Sequence, residues 1–316
     1  MRILITGATG FIGRALAAKL AADSQYDVAI LVRDRFRSQH LPEPLNHLTD
    51  RIVTVFADLR EYRETRRAVQ AVRPDRIFHL AAGGVSDPFL DVDLALEQNL
   101  STMLNLLRAA FDEDPVSPPE KLITVRTPGE LSAMNPYAAA KAAAWQFCAM
   151  YARTRGWPII GAMPFQAYGP GQGTNYLVSG AVAAAIAGKD FPLTAGDQEK
   201  DWIYIGDVVD GLLALARAEL APGTSLELGT GDLTSVAAVV TQIYDLVGGA
   251  GNPLIGALPS RAGEVQAHAA DMDRTREMIG WEAGTPLDQG LQRTIEQMRR
   301  RRKPPQNRES QSDFFE

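Results

Sequence analysis

The chain has 316 residues, a formal net charge of −6 and a sequence pI of about 5.4. This acidic balance gives no general attraction to nucleic acid or to acidic membrane surfaces. Apolar residues make up 46% of the chain and charged residues 22%, which is typical of a globular protein. We find no apolar run long enough for a bilayer span and no signal peptide, so we expect a cytoplasmic protein.

Short apolar runs alternate with longer helical patterns along the chain. The predicted strands are Arg2–Thr6, Val28–Val32, Ile52–Phe56, Arg76–His79, Lys121–Val125, Pro158–Met163 and Ser225–Leu228. Repeated β–α units of this kind predict an α/β fold, a Rossmann-like doubly wound parallel sheet covered by helices on both faces.

The β–α rhythm is interrupted after the turn cluster Tyr168-Gly-Pro-Gly171. We therefore predict a Rossmann domain from residues 1–168 and 203–248, and a smaller C-terminal lobe from residues 169–202 and 249–303. Residues 304–316 are polar and begin with proline, which predicts a disordered tail.

A glycine-rich loop follows the first predicted strand and precedes the first helical pattern. This order suits a dinucleotide pyrophosphate, which needs a tight turn, a close backbone approach and the amide groups of a helix start. The residues predicted to hold the cofactor here are Gly7, Thr9, Gly10, Phe11, Ile12 and Gly13.

The end of the second strand distinguishes the two nicotinamide cofactors, because an acidic residue accepts from a ribose hydroxyl and arginine accommodates a 2′-phosphate. Val32 stands where NAD binding predicts an acid, and Arg33 follows it. We therefore predict NADP(H) in preference to NAD(H). The alternative is that Arg33 is a surface charge and that Asp34 takes the acidic role.

Two further strand ends are expected to line the cofactor site. Asp58 and Leu59 follow the third strand, where the carboxylate could accept from the adenine amino group. Small residues after the fourth strand, Leu80, Ala81 and Ala82, leave room for the cofactor. We interpret His79 as a packed histidine and expect no metal, because none of the four histidines shows metal-ligand spacing.

Tyr137 and Lys141 lie one helical turn apart on a predicted helix that ends near Arg155. An ammonium near a phenol lowers the pKa of the phenol, so this tyrosine could exchange a proton while a nicotinamide exchanges hydride. A Tyr-x-x-x-Lys pair alone is a weak signal; its place after a dinucleotide loop and beyond the fifth strand favours catalysis. Cys148, further along this alanine-rich helix, is predicted to be a core residue in a reducing compartment.

In this combination of motifs the chain resembles the extended short-chain dehydrogenase/reductase family, of the NAD(P)-dependent nucleotide-sugar epimerase/dehydratase type. The resemblance covers residues 1–300. Its further motifs are Asn99, the run from Pro164 to Gly171, Asp201–Asp207, Leu228–Gly231 and Arg261–Glu264. It implies that Asn99 and Pro164 belong to the cofactor site, and that the smaller lobe holds a nucleotide-diphosphate sugar through Lys200, Arg261 and Asn175.

The resemblance also implies a catalytic hydroxyl just after the fifth strand. Thr127 stands there, but its connection to Tyr137 is shorter than in relatives, so Thr124 is an alternative. Pro128 and Gly129 occupy the positions where similar 4,6-dehydratases carry an Asp-Glu pair, which argues against dehydratase chemistry.

We therefore expect an NADPH-dependent reductase of a nucleotide-activated keto sugar, most plausibly a 4-keto-6-deoxyhexose. The alternatives are a 4-epimerase with retained cofactor and a non-catalytic dinucleotide-binding regulator. By resemblance, the apolar faces of the helices after Asn99 and Tyr137 are expected to form a homodimer.

Overall fold

The computed structural model describes residues 1–33, 41–85, 87, 89–112, 117–259 and 267–302. Its strands are β1 (Arg2–Thr6), β2 (Asp27–Val32), β3 (Ile52–Phe56), β4 (Arg76–His79), β5 (Lys121–Val125), β6 (Ile159–Pro164), β7 (Gln166–Tyr168), β8 (Phe191–Pro192), β9 (Glu199–Tyr204), β10 (Ser225–Leu228), β11 (Leu233–Ser235) and β12 (Pro253–Leu254). All seven predicted strands are present; the second begins one residue earlier than predicted, and the sixth is displaced by one residue.

The helices are α1 (Phe11–Ala21), α2 (Tyr62–Val72), α3 (Val92–Ala95), α4 (Thr102–Leu107), α5 (Pro136–Arg155), α6 (Leu177–Ile186), α7 (Ile205–Arg217), α8 (Val236–Val247), α9 (Met272–Ile279) and α10 (Leu287–Arg302). Two π-helical stretches, Leu96–Ser101 and Arg108–Asp112, make residues 92–112 one continuous helical segment. No helix in the described part of the chain is long and apolar enough to cross a membrane.

Seven strands form one parallel sheet in the order β10-β6-β5-β4-β1-β2-β3. The direction in which successive strands are added reverses between β1 and β4. In open parallel sheets, ligands bind outside the carboxyl ends of the strands at such a reversal. This topology confirms the predicted Rossmann-like fold and identifies the sheet edge at which the site is expected.

Successive residues of a strand point to opposite faces of the sheet, so β1 contributes to two separate cores. Ile3 and Ile5 pack in the core that also holds buried residues of α1 and α7. Leu4 packs on the other face, with buried residues of α2, α4 and α5. The continuous apolar character of the strand follows from this burial on both faces.

A third core joins helices from both sides of the predicted domain boundary. Buried residues of α6, α8 and α10 pack together with Tyr168 and Trp202. A smaller sheet, in the order β11-β9-β7, lies beside this core. The predicted division assigns α8 to the Rossmann domain, whereas α6 and α10, against which α8 packs, belong to the predicted smaller lobe.

Candidate active site

The glycine loop is shaped by close backbone contacts at both of its ends. Gly7 has a φ of +70°, and a Cβ at this position would lie 2.5 Å from the backbone of Leu80 and Ala81. A Cβ at Gly13 would lie 2.2 Å from the carbonyl oxygen of Gly7. Only glycine fits at either position, so the turn draws the start of α1 close to the carboxyl ends of β1 and β4.

The start of α1 presents amide groups that no side chain caps. Gly10 occupies the N-cap position and provides no side-chain acceptor for Phe11, Ile12 and Gly13. At the starts of α5, α8 and α9, by contrast, a side chain caps the helix. Asn135, Ser235 and Asp271 each accept a hydrogen bond from a backbone amide of the first turn. The first turn of α1 therefore suits a phosphate, as the sequence predicts.

A cleft of about 310 Å³ opens in front of this loop, and we call it the glycine-loop cleft. The predicted cofactor residues that line it are Gly7, Thr9, Gly10, Arg33, Asp58, Leu59, Leu80, Ala81 and Ala82. Leu31, Val32, Ala57, Arg60, Gly83, Gln98 and Thr102 complete the lining. The tertiary structure thus brings together residues from four strand ends, those of β1, β2, β3 and β4, at the reversal point of the sheet.

Arg60 is a lining residue that the sequence analysis did not identify. Its Nε and Nη2 donate to the carboxylate of Asp58 at 2.6–3.0 Å, and Glu97 lies 3.5 Å from Nη1. The Arg60 guanidinium is the main influence that lowers the pKa of Asp58, and Arg33 adds to it. The predicted adenine acceptor is therefore already paired, and Arg33 lines the same cleft. The alternative acid, Asp34, lies outside the described residues.

Thr6 connects the ends of β1 and β4. Its hydroxyl accepts from the Ala81 amide at 3.3 Å and shares a hydrogen bond with Nδ1 of His79 at 2.8 Å. His79 is fully buried, and desolvation lowers its pKa to about 3. The interpretation of His79 as a packed histidine is confirmed by its burial. In the described part of the chain, no three His, Cys, Asp or Glu side chains converge on a possible metal position.

Asn99 and Pro164 lie near the site without lining the glycine-loop cleft. Buried Asn99 bonds to both backbone groups of Gly83, each at 3.1 Å, and donates to the Ala95 carbonyl at 2.9 Å. It therefore fixes the loop that follows β4. Pro164 is the buried last residue of β6 and pairs in register with Leu228.

Tyr137 and Lys141 lie in the first two turns of α5, one strand further along the same sheet edge. Pro136 occupies the first turn, and the Asn135 side chain accepts from the Ala138 amide at 2.8 Å, which explains why the helix begins here. The buried ammonium of Lys141 donates to the Val125 carbonyl at the end of β5.

The electrostatics of this pair are dominated by burial. Burial raises the pKa of Tyr137, and the Glu130 carboxylate raises it further. Burial lowers the pKa of Lys141. Desolvation is therefore the dominant influence on the phenol in this geometry, and the lowering of its pKa by Lys141 stays a prediction. Cys148 is fully buried in the same helix, as predicted, and its pKa is raised to about 12.

The two candidate hydroxyls after β5 have different surroundings. Thr124 is buried within the strand, opposite His79 and Gly161. Thr127 is half-buried and caps a short turn, Pro128–Leu131, where its hydroxyl accepts from the Gly129 amide at 3.4 Å. The accessibility of Thr127 favours it as the catalytic hydroxyl.

The predicted substrate residues are only partly described. Asn175 is exposed in the loop after β7, and Lys200 is half-buried in β9, opposite Thr234 of β11. Arg261 lies outside the described residues, and so does the predicted tail of residues 304–316. The structure therefore leaves the phosphate-binding roles of Lys200 and Arg261 as predictions.

Asp201 is a buried carboxylate for which the sequence motif gave no structural role. It accepts from the amides of Thr230, Gly231 and Ala270 and from the Thr230 hydroxyl, at 2.8–3.1 Å. It thereby fixes the turn after β10 to β9. Its place in the chain, directly before the apolar pair Trp202-Ile203, was the available signal.

A larger cavity, of about 450 Å³, lies between α1, α7 and α10. Two of its cations are paired, since Lys19 lies 2.9 Å from Asp210 and Arg301 lies 2.8 Å from Glu43. None of the predicted site residues lines this cavity. Although this cavity is larger than the glycine-loop cleft, we therefore do not identify it as the candidate active site.

Residues 3–229 match the model of the NAD dependent epimerase/dehydratase family. The chain belongs to this family. The resemblance to extended short-chain dehydrogenase/reductases, and with it the prediction of an enzyme, is confirmed.

Other members of the epimerase/dehydratase family resemble the chain over almost its whole length. A UDP-glucose 4-epimerase of Mycolicibacterium smegmatis is 28% identical over 94% of this chain and 98% of its own. The structure of the Thermotoga maritima UDP-glucose 4-epimerase with UDP-glucose has a TM-score of 0.81 at 23% identity, covering 95% and 99% of the two chains. RMD from Pseudomonas aeruginosa, complexed with NADPH, has a TM-score of 0.76 at 22% identity over the same shares.

Proposed function

We propose that the protein is a nucleotide-sugar 4-epimerase that acts through Tyr137 and Lys141. The observation that carries this proposal is the placement of both side chains on α5, with Lys141 fixed to the end of β5, beside the glycine-loop cleft. A nicotinamide cofactor, when bound, supplies the hydride acceptor and donor. The curated relative named as a UDP-glucose 4-epimerase supports a UDP-hexose as the first substrate to test.

Each residue has a distinct part in the proposed reaction. Tyr137 exchanges a proton with the sugar oxygen, first as base and then as acid. Burial raises the pKa of the phenol, so the base form requires a nearby cation that stabilises the phenolate. The Lys141 ammonium is the nearby cation on the same helix face, and Thr127 donates a hydrogen bond to the reacting oxygen.

A second candidate is the NADPH-dependent reduction of a nucleotide-activated keto sugar. It is favoured by Arg33, which lines the cleft beside a carboxylate already neutralised by Arg60. Among the described lining residues, a 2′-phosphate there would meet the Arg33 cation and an acid that is already paired with Arg60. A net reductase takes its reducing equivalents from solution, whereas an epimerase returns the hydride within one turnover.

Dehydration chemistry is not supported. Pro128 and Gly129 provide no acid, and Glu130, the next carboxylate, is buried with both oxygens bonded. A dehydratase needs an accessible acid and base to remove water.

The test is to incubate the purified protein with UDP-glucose and UDP-galactose and to follow both sugars by NMR while recording absorbance at 340 nm. Interconversion without net change in absorbance, abolished in Tyr137→Phe, supports the epimerase. NADPH oxidation that depends on an added keto-sugar nucleotide supports the reductase instead. Full turnover by Tyr137→Phe would overturn both candidates.

A further inference from the structure

The short connection between Thr127 and Tyr137 contains a buried ion pair. Nε of Arg126 donates to Oε2 of Glu130 at 2.8 Å, and the two side chains are 13% and 1% exposed. Oε1 of Glu130 accepts from the Thr127 amide at 3.0 Å. Both oxygens of this carboxylate are therefore engaged within the turn that carries Thr127.

Arg126 anchors the turn to two other parts of the molecule. Its Nη1 donates to the Ser225 hydroxyl of β10 at 3.0 Å. Its guanidinium lies 4.5 Å from the centre of the Trp145 ring in α5. The ion pair is thus enclosed between β5, β10 and α5, and the turn cannot move without breaking several contacts.

The same segment also meets the proposed catalytic pair. The Lys141 ammonium bonds to Val125, immediately before Arg126 in the chain. A Cβ at Gly129 would lie 3.4 Å from Cβ of Ala138, so the turn packs on the first turn of α5. Residues 125, 126 and 127 are each fixed by a different polar contact.

Glu130 is also the strongest charge acting on both members of the pair. Burial lowers the pKa of Lys141, and the Glu130 carboxylate is the largest influence that raises it. Cys148 also raises this pKa and Arg126 lowers it, both by less than Glu130 does. Tyr137 is affected by burial, Glu130 and Tyr176, all of which raise its pKa. His79, the remaining titratable neighbour of Lys141, is neutral because its own pKa is about 3.

We infer that Glu130 is a positioning residue, which holds the Thr127 backbone through its Oε1 and, through its ion pair with Arg126, fixes the turn between β5 and α5. The inference rests on the proposed function of Tyr137, Lys141 and Thr127. Glu130 does not itself meet substrate, because its side chain is buried and both oxygens are bonded. It acts through its neighbours.

The charge and the hydrogen bond can be tested separately. We would combine Arg126→Met with Glu130→Gln or with Glu130→Leu, because removing both charges avoids an unpaired buried ion. The amide oxygen of glutamine can still accept from the Thr127 amide, whereas leucine cannot. Arg126→Met alone and Glu130→Gln alone complete the set, and circular dichroism with thermal unfolding identifies variants that are folded.

Removal of the Glu130 charge lowers the pKa of both Lys141 and Tyr137, so the alkaline limb of the kcat profile moves to lower pH. We expect a shift of about one pH unit in Glu130→Gln, and a smaller one when Arg126→Met is added. The leucine double variant should show in addition a loss of about tenfold in kcat with little change in KM, because Thr127 is misplaced.

Unchanged kcat and an unchanged pH profile in the folded glutamine and leucine variants would overturn the inference. An equal loss in both without a pH shift would also overturn it, since it would indicate a structural role only. Tyr137→Phe separates this failure from that of the proposed function. If Tyr137→Phe is inactive while the Glu130 variants behave as wild type, only the positioning role fails; if Tyr137→Phe is active, the proposed function fails.

Discussion

The ammonium of Lys141 is tied to the backbone carbonyl of Val125, so the second turn of α5 is fixed to the end of β5. A buried cation in this position has lost most of its water, and burial lowers its pKa accordingly. The chain thus keeps an energetically unfavourable charge next to Tyr137, which is characteristic of a functional site.

Lys141→Met should reduce turnover by at least about 100-fold, because proton exchange by Tyr137 loses its neighbouring cation. We expect thermal stability to stay the same or to increase, since methionine fills the space without a buried charge. Lys19→Met, at an exposed lysine of α1, is the control and should leave both properties unchanged. Near wild-type turnover in Lys141→Met would contradict the assignment.

His79 should make the protein less stable in weak acid. The unfolded state binds a proton at its ordinary pKa of 6.5, whereas the folded state does so only near 3. The free energy of unfolding therefore falls as pH drops below 6.5. Between pH 7 and pH 5, the free energy of unfolding of His79→Gln should fall by about 2 kcal/mol less than that of the wild type. Urea unfolding at both pH values measures this difference. His47→Gln, at an exposed histidine, should retain the wild-type loss.

Arg33→Gln should weaken NADPH binding by about tenfold or more and leave NADH binding almost unchanged, because a guanidinium pairs with the 2′-phosphate. Calorimetric titration at one fixed ionic strength gives the ratio of the two dissociation constants. Arg63→Gln, at an exposed arginine of α2 that does not line the cleft, controls for the change in net charge. A tenfold preference of the wild type for NADH would refute the prediction.

Asp201→Asn should lower the free energy of unfolding by about 2–3 kcal/mol, because an amide nitrogen would face backbone amides that now donate to a carboxylate oxygen. Denaturant unfolding monitors the change. Asp210→Asn removes a half-exposed partner of Lys19 and should cost less than about 1 kcal/mol. Equal effects of the two substitutions would show that the Asp201 contacts add no special stability.

The homodimer expected from the family resemblance depends on the apolar faces of the helices after Asn99 and Tyr137. Phe147 in α5, beyond Tyr137, is 39% exposed. Phe147→Glu would place a charge in the shared helical contact and should convert the dimer to a monomer, as measured by light scattering after gel filtration. Phe89→Glu, at a 90% exposed residue outside these helices, is the control. A monomeric wild type would disprove the dimer.

Sequence reasoning could identify the strands because burial on both faces of a parallel sheet leaves continuous apolar runs, as in β1. It could also identify the glycine loop, because Gly7 and Gly13 meet backbone atoms that no Cβ could approach. The boundary between the Rossmann domain and the smaller lobe was harder to predict from the sequence. The core of α6, α8 and α10 depends on contacts between distant segments, which local patterns do not encode.

The sequence by itself determined the family, the order of strands and helices, and the pair Tyr137 and Lys141, because these depend on local spacing and residue type. Only the tertiary structure decided the electrostatics around that pair. Lys141 bonds to Val125, and Arg126 bonds to Ser225 of β10; both bonds join separate elements. The burial of the Arg126–Glu130 pair depends on the same packing. Desolvation and charge act through space, so their balance at Tyr137 could not be read from spacing along the chain.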